Sequence, residues 1–125
     1  IVWLGDNFRN WFLKKTEDSI GPTELRHHQL TRPSLDVPII AELGGEAKAE
    51  TTLQEIFFLM NQQTNGENGV LLTNNYANIF YVRDAENVLR AVSVDWRGDG
   101  WGVRADSVSD PVEWDDGNQV VSRNS

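Results

Sequence analysis

The chain has 125 residues, which is the size of a single domain and too small for a two-domain enzyme with a cleft between its domains. Nineteen acidic residues against 11 basic ones leave a formal net charge of −8, the wrong sign for a surface that neutralises nucleic-acid phosphates. The chain contains no cysteine, which excludes disulfides, thiolate nucleophiles and sulfur-ligated metals. No stretch approaches the roughly 18 to 20 apolar residues of a membrane span. We therefore expect a soluble protein with no nucleic-acid partner.

The first predicted helix begins at the N-cap residue Asp6 and places Phe8 and Phe12 on one face. The segment 19–38 that follows contains several prolines, which prevent a continuous helix and favour extended backbone at the residues before them. We expect this segment to be an ordered connection that leads into one strand around residues 39–40.

The second predicted helix covers residues 46–63, a run without glycine or proline that has one apolar and one polar face. Residues 64–66, Thr-Asn-Gly, end it, because Asn and Gly readily adopt the left-handed conformation found after helices.

Beyond this helix the apolar residues recur at every second position, which is typical of strands. Residues 70–73 are predicted as a short strand. Residues 76–107 are predicted as a three-stranded antiparallel meander, with turns at 84–87 and 97–100. Residues 119–122 can form a last strand.

The predicted fold class is therefore α+β, with two helices followed by an antiparallel meander. We expect one domain over residues 1–125. Residues 1–75 form its mainly helical and irregular part, and residues 76–125 form a sheet that displays a C-terminal face.

A catalytic or metal centre has little support in the sequence. Nucleophilic catalysis needs a base near a serine or threonine, but the two histidines, His27 and His28, are neighbours in a proline-bounded stretch, so their side chains diverge in a strand or helix. They also lack the spacing that directs two imidazoles at one metal ion. Gly98 and Gly100 do not lead into a helix, so a phosphate-binding loop is not indicated. We expect no catalytic residue, no metal and no cofactor.

Carboxylates offer two weaker alternatives. The pairs Asp95 with Asp99 and Asp115 with Asp116 could serve as an acid and a base, but a chain this acidic contains such pairs by chance. A calcium site is a second alternative, although the EF-hand pattern is absent. Its oxygen ligands would come from Asp110, Glu113, Asp115, Asp116 and Asn118. The tripeptide at 97–99, Arg-Gly-Asp, matches the integrin-recognition sequence, but we interpret it as a turn.

Three tryptophans, Trp96, Trp101 and Trp114, occur close together in the C-terminal part. Trp96 and Trp101 flank the turn at 97–100, so they can meet as a cross-strand pair, and we expect all three rings in the core. Residues 95–118 also contain seven acids and two bases, which is −5 of the total charge. These charges must stay solvated, so they form an exposed acidic face on the tryptophan frame.

The same region carries a resemblance to a known family. The pattern consists of Trp96, Trp101 and Trp114 at their spacing, followed by the ending Val-Ser-Arg-Asn-Ser at 121–125. It resembles the C-terminal variable region of target proteins of diversity-generating retroelements, over residues 76–125. The resemblance implies a C-type-lectin-like fold that displays variable side chains, although the calcium motifs and disulfides of lectins are missing here.

In that family, adenines of asparagine codons are randomised, and such changes never produce tryptophan. The three tryptophans therefore belong to the fixed frame. The resemblance implies that positions compatible with altered or unaltered asparagine codons form the binding surface. They are Asp95, Arg97, Asp99, Gly102, Arg104, Asp106, Asp110, Val112, Asp115, Asp116 and Asn118.

We therefore predict a non-catalytic protein that binds an unknown protein or surface ligand through a variable C-terminal surface. One alternative is a structural or assembly module of a phage or mobile element that binds a basic partner subunit. A small hydrolase that uses acid pairs is a third. Because the sequence begins at Ile1 rather than methionine, we expect that a leading segment was removed or that the chain is part of a longer one. Neither the oligomeric state nor the cellular compartment can be predicted.

Overall fold

The computed structural model describes residues 1–19 and 24–123. These residues form four helices and seven strands, which confirms the α+β class. None of their helices is long and apolar enough to cross a membrane. The helices are α1 (Asp6–Phe12), α2 (Asp36–Glu42), α3 (Glu46–Ala49) and α4 (Leu53–Asn61). The strands are β1 (Trp3–Leu4), β2 (Leu25–Gln29), β3 (Glu50–Thr51), β4 (Asn78–Arg83), β5 (Leu89–Trp96), β6 (Trp101–Ser107) and β7 (Gln119–Arg123).

The first predicted helix is confirmed as α1. It buries Phe8 and Phe12, whose rings stack with 4.9 Å between centroids. Gly5 rather than Asp6 is the N-cap, and Asp6 lies in the first turn. A carboxylate there is favoured by the positive end of the helix dipole.

The strand expected at residues 39–40 is wrong, because Ile39 and Ile40 are buried residues of α2. Pro38 is the third residue of that helix, where a backbone nitrogen has no intrahelical acceptor and proline is tolerated. The connection does contain a strand, β2, which pairs antiparallel with β7. One of the prolines of this connection, Pro22, lies outside the described residues, as do Asn124 and Ser125.

The second predicted helix, 46–63, is interrupted and forms two helices. After α3, the strand β3 pairs in parallel with β4. Helix α4 then begins with a capping box. Thr52 Oγ1 accepts from the backbone N–H of Glu55 at 3.3 Å, and Glu55 Oε1 accepts from the N–H of Thr52 at 2.9 Å. This motif requires extended backbone at Thr52, with φ −121° and ψ 162°, so one continuous helix cannot pass through it.

The three-stranded meander is confirmed, because β4 pairs antiparallel with β5, and β5 with β6. The sheet as a whole is mixed, so a purely antiparallel arrangement is wrong. Its strand order is β1-β6-β5-β4-β7-β2, with β3 also beside β4. Both β1–β6 and β4–β7 are parallel pairs. Strand β7 therefore lies inside the sheet, between β4 and β2.

The strand predicted at residues 70–73 is absent from the described structure, because side-chain amides satisfy this backbone. Gln63 accepts from the N–H of Leu71 at 2.9 Å and donates to its carbonyl at 3.0 Å. Asn78 Oδ1 accepts from the N–H of Leu72 at 2.8 Å, and Gln119 donates to the carbonyl of Val70 at 2.8 Å. These four hydrogen bonds take the place of a strand partner.

Each face of the sheet packs on its own layer. On one face, apolar residues of β4, β5, β6 and β7 pack against α1 and α4. On the other, a smaller cluster of strand residues packs against α2 and α3. This second layer covers β4, β7 and the first part of β5, whereas Asp95 at the end of β5 and Arg104 and Asp106 on β6 stay exposed or half-exposed on the same face, here called the open face, and belong to the candidate site.

Candidate binding surface

The residues of β6 alternate between the two faces of the sheet. Trp101, Val103 and Ala105 point into the core that contains α1 and α4. Because successive side chains of a strand point in opposite directions, Arg104 and its neighbours at 102 and 106 lie on the open face. Their partners on β5 are Asp95 opposite position 102, Ser93 opposite 104 and Ala91 opposite 106. Four of the predicted binding positions, 95, 102, 104 and 106, are thus adjacent in space.

Arg97 extends this surface from the turn at 97–100. Its backbone N–H donates to the carbonyl of Gly100 at 2.9 Å. Its guanidinium lies 4.3 Å from the ring centre of Trp3, and its Nε is 3.3 Å from Asp95 Oδ1. Cation–π stacking and an ion pair thus hold this arginine over the open face.

Trp3 is a further residue of this surface and was not among the predicted positions; it is 42% exposed, and its strand β1 borders the surface. The apolar run at residues 1–4 is compatible with a strand, but its partner lies almost one hundred residues later in the chain. Only the fold brings Trp3 next to position 102, with which it is in register.

The part of the surface at the end of β6 and on the turn after it contains Arg104, Asp106 and Asp110. Arg104 Nε is 3.4 Å from Asp106 Oδ2, in a partly exposed ion pair. Asp110 Oδ1 accepts from the backbone N–H of Val112 at 2.9 Å, which fixes the turn after β6. Val112 follows on this turn with 72% of its surface exposed.

Two pairs of backbone hydrogen bonds hold the loop 108–118 in place. Ser34 and Trp114 exchange both their N–H···O bonds, at 3.0 and 2.8 Å. Leu30 donates to the carbonyl of Asn118 at 2.7 Å and accepts from the N–H of Gly117 at 2.9 Å. The loop therefore presents its side chains from a backbone that is held in place by hydrogen bonds.

A buried carboxylate, Asp36, lies under this loop, and the sequence analysis did not predict it. Asp36 Oδ1 accepts from the hydroxyl of Tyr81 at 2.7 Å and from Nε1 of Trp114 at 2.8 Å. Burial raises the pKa of Asp36 and outweighs these two hydrogen bonds, and the nearby charges of Asp106 and Asp110 add to the increase. Burial, with the adjacent Asp36 carboxylate, also raises the pKa of the Tyr81 hydroxyl.

Asp36 lines a cavity of about 210 Å³. This cavity lies between β6, the loop 108–118 and the start of α2. The residues that line it are Asp36, Arg104, Asp106, Asp110, Val112, Glu113 and Trp114. Four of these seven residues belong to the predicted binding set.

The remaining predicted positions differ in exposure. Asp99, Asp115 and Asp116 are exposed, whereas positions 102 and 118 are buried. Asn118 Oδ1 accepts from the backbone N–H of Ala77 at 2.8 Å. Asn118 thus has a structural role at the start of β7.

The three tryptophans do not share one environment. Trp101 is 3% exposed and belongs to the core, as predicted. Trp96 and Trp114 are half-buried at the margins of the two apolar clusters. The expectation of three core rings is therefore correct for Trp101 alone, because the other two lie where the strands and the loop leave the layers.

Within residues 1–19 and 24–123, no group of three or more His, Asp or Glu side chains is arranged to hold a metal ion. His27 and His28 are exposed on the edge strand β2. His28 borders a second, larger groove of about 510 Å³ between β2, the segment 30–35 and α2.

Comparisons of this chain with protein-family models, with characterised proteins and with solved structures give no match.

Proposed function

We propose that this chain is a non-catalytic protein that binds a macromolecular ligand through the surface formed by β5, β6 and the loop 108–118. The observation that carries this proposal is the separation of two residue sets on β6. The side chains of Trp101, Val103 and Ala105 belong to the core, whereas those of Arg104 and Asp106 lie on the opposite face and are exposed or half-exposed. Changes on that face leave the core contacts intact, which is what a surface of variable residues requires.

We also propose that the chain is a target protein of a diversity-generating retroelement with a C-type-lectin-like fold. The support is a correlation between residue type and exposure: residues that altered asparagine codons can encode lie mostly at exposed or half-exposed positions. Trp101, which altered asparagine codons cannot encode, is buried, and Trp96 packs against it. Most positions that such codons can encode are exposed or half-exposed, and Val112, with 72% of its surface exposed, is an example.

An assembly module that packs against a basic partner subunit is a second candidate function. The charge of the cavity supports it, because four carboxylates and one arginine line this part of the surface. We propose no catalytic role for the pairs at 95 and 99 or at 115 and 116. Asp95 forms an ion pair with Arg97, and Asp115 and Asp116 are exposed on the loop.

A combinatorial library tests the binding proposal. The codons of Arg97, Asp99, Arg104, Asp106, Asp115 and Asp116 would be replaced together by altered asparagine codons. Exposed positions of this kind usually change stability by no more than about 0.5 kcal/mol each. We expect most members to fold and to differ in the ligands they select in a display experiment.

The matched control library randomises six polar positions that have structural roles, namely Glu55, Gln63, Asn78, Asp84, Arg90 and Gln119. We expect most of its members to unfold. Equal losses of folded members in the two libraries would contradict the proposed function, as would a folded first library without any change in ligand selection.

A further inference from the structure

We propose that Asn68 is a site of spontaneous covalent modification, at which the side-chain amide is lost and aspartate and isoaspartate are formed. Asn68 lies in the segment between α4 and β4, which contains two Asn-Gly pairs, Asn65-Gly66 and Asn68-Gly69. Asparagine is a thermolabile residue, and the two pairs are alike in sequence. They differ in the fold, because their backbone amides have different partners. This inference does not depend on the proposed function.

The reaction begins when the backbone nitrogen of the following residue attacks Cγ of the asparagine. A bond forms between this nitrogen and Cγ, the bond from Cγ to the amide nitrogen breaks, and ammonia leaves with the proton that the backbone nitrogen loses. Water then opens the cyclic succinimide and returns a proton to the backbone nitrogen. Opening at the side-chain carbonyl gives aspartate. Opening at the backbone carbonyl gives isoaspartate, in which the chain continues through the side chain.

Two properties of the following residue favour the attack. Glycine has no Cβ atom to block the approach of its nitrogen, and its backbone adopts conformations that other residues avoid. The N–H group must also lack an acceptor, because a hydrogen bond holds the nitrogen in place and retains its proton. Both Asn-Gly pairs meet the first condition, so the hydrogen bonds of the two glycines determine which pair reacts.

The first pair, Asn65-Gly66, is held in the turn that follows α4. The N–H of Gly66 donates to the carbonyl of Gln63 at 3.1 Å, and the N–H of Asn65 donates to the carboxylate of Glu67. Gly66 also lies against the ring of Trp96, since a Cβ atom built on it would be 2.5 Å from that ring. The nitrogen of Gly66 is therefore restrained and covered.

The second pair, Asn68-Gly69, is exposed at both residues. Within the described part of the chain, the N–H of Gly69 has no acceptor and the side-chain amide of Asn68 forms no hydrogen bond. Neither burial nor hydrogen bonding thus opposes the attack of this nitrogen on Cγ of Asn68. The structure therefore favours reaction at Asn68 over reaction at Asn65.

Isoaspartate at position 68 would disturb a segment that is anchored on both sides. Gln63 donates to the carbonyl of Glu67 at 2.8 Å, and it accepts from and donates to the backbone of Leu71, at 2.9 and 3.0 Å. Isoaspartate adds one carbon atom to the backbone between these anchors. Gln63 is buried, and its carbonyl accepts from Nε1 of Trp101 at 3.0 Å. We therefore expect isoaspartate to lower the melting temperature, whereas aspartate at this exposed position should change it little.

The test incubates the full chain in a weakly alkaline buffer, which speeds removal of the backbone proton. The tryptic peptide 49–83 contains both pairs, and electron-transfer fragmentation assigns aspartate and isoaspartate to each position. We expect conversion at Asn68 to exceed conversion at Asn65 by about fivefold or more, because one intramolecular hydrogen bond must first break at Gly66. Equal conversion at the two positions, or faster conversion at Asn65, would overturn the proposal.

The same incubation in guanidinium chloride shows whether the fold causes the difference. Both asparagines precede glycine, so we expect them to convert at similar rates in the unfolded chain. An excess at Asn68 that is as large in the unfolded chain as in the folded one would contradict the argument from hydrogen bonds.

A matched pair of variants tests the effect on stability. Incubation should lower the melting temperature of the parent and of Asn65→Ser, whereas Asn68→Ser should keep its initial value. Both substitutions change an exposed asparagine in the same segment, so they serve as controls for each other. An equal loss in Asn68→Ser and the parent would show that the damage arises elsewhere and would overturn the proposed effect of isoaspartate.

Discussion

The rings of Trp96 and Trp101 meet edge to face across the β5–β6 turn, with 5.3 Å between centroids and 72° between planes. The two residues form the last cross-strand pair of the hairpin. Their surroundings differ, because Trp101 is buried and donates from Nε1 to the carbonyl of Gln63 at 3.0 Å, whereas Trp96 lies over Gly66 at the margin. We therefore expect Trp101 to contribute more than Trp96 to the free energy of unfolding.

Replacement of Trp101 by alanine should lower the free energy of unfolding by about 3–5 kcal/mol, the range for a buried tryptophan. Trp96→Ala should cost less, because its ring is already partly solvated. Urea denaturation would measure both, with Trp101→Phe as a variant that keeps part of the ring volume. Equal losses for Trp96→Ala and Trp101→Ala would show that the pair, rather than burial, determines the contribution.

Replacement of Trp114 by phenylalanine removes one of the two donors to Asp36 Oδ1. We expect the pKa of Asp36 to rise further above its ordinary value, because burial then acts against one hydrogen bond fewer. Ionised groups that face Asp36, namely Asp106 and Asp110, act in the same direction. A carboxyl carbon NMR titration would follow the group, with Phe58→Leu on exposed α4 surface as a control. A lowered pKa in Trp114→Phe would contradict the interpretation.

The pKa of Asp84 is shifted downwards, unlike that of Asp36, so Asp84 should stabilise the protein at neutral pH and lose this effect in acid. Burial acts to raise its pKa, but the N–H groups of Val88 and Glu86 and the guanidinium of Arg90 outweigh burial and lower it. A lowered pKa in the folded state gives stability that is present above the ordinary value of 3.8 and is lost as the pH falls through the folded value. Asp84→Asn should therefore destabilise the protein at neutral pH, by about 1–3 kcal/mol.

The measurement is the free energy of unfolding of the parent and Asp84→Asn as a function of pH. Their difference should shrink as the pH falls below 3.8, because the parent then loses the charged carboxylate. Asp99→Asn serves as an exposed control with the same charge change. A difference that stays constant down to strongly acidic pH would show that the carboxylate charge of Asp84 is unimportant.

Positions 97 and 102 of the proposed surface should not vary independently. A Cβ atom at Gly102 would collide with Nε of Arg97, which lies above it. Gly102→Ser should therefore displace the arginine from Trp3 and lower ligand affinity in the parent background. In an Arg97→Ala background the same substitution should have little effect, and a double-mutant cycle would measure the coupling. Additive effects of the two changes would contradict this contact.

The meander could be predicted because its signals are local. Alternation along 76–107 and the two tryptophans at the turn determine strand, partner and register together. The position of β7 could not be predicted in this way. Its parallel pairing with β4 and antiparallel pairing with β2 depend on contacts between distant segments. The break at Thr52 did have a local signal, since Thr and Glu at 52 and 55 form a capping-box spacing, but the apolar periodicity of 46–63 concealed it.

The candidate site, like the fold, could be predicted only where its residues are close together in the sequence. Alternation on β6 places 102, 104 and 106 on one face, and the structure brings them together with Asp95. The buried Asp36 and the exposed Trp3 could not be identified, because each acquires its environment from residues far along the chain. A carboxylate next to a proline-rich connection is ordinarily exposed, and only the hydrogen bonds from Tyr81 and Trp114 distinguish this one.

The interior position of β7 also has a consequence for how the chain folds. Edge strand β2 lies near the N-terminal end of the sequence, whereas its partner β7 lies some ninety residues later, as the register of His27 with Val121 shows. Such long sequence separations slow folding, since loop-closure entropy is lost before the contact forms. Before β7 inserts, β4 and β2 both carry unpaired backbone groups and the loop 108–118 has no fixed end. We therefore expect the loop part of the proposed binding surface to take its final position late in folding, together with the last strand of the sheet.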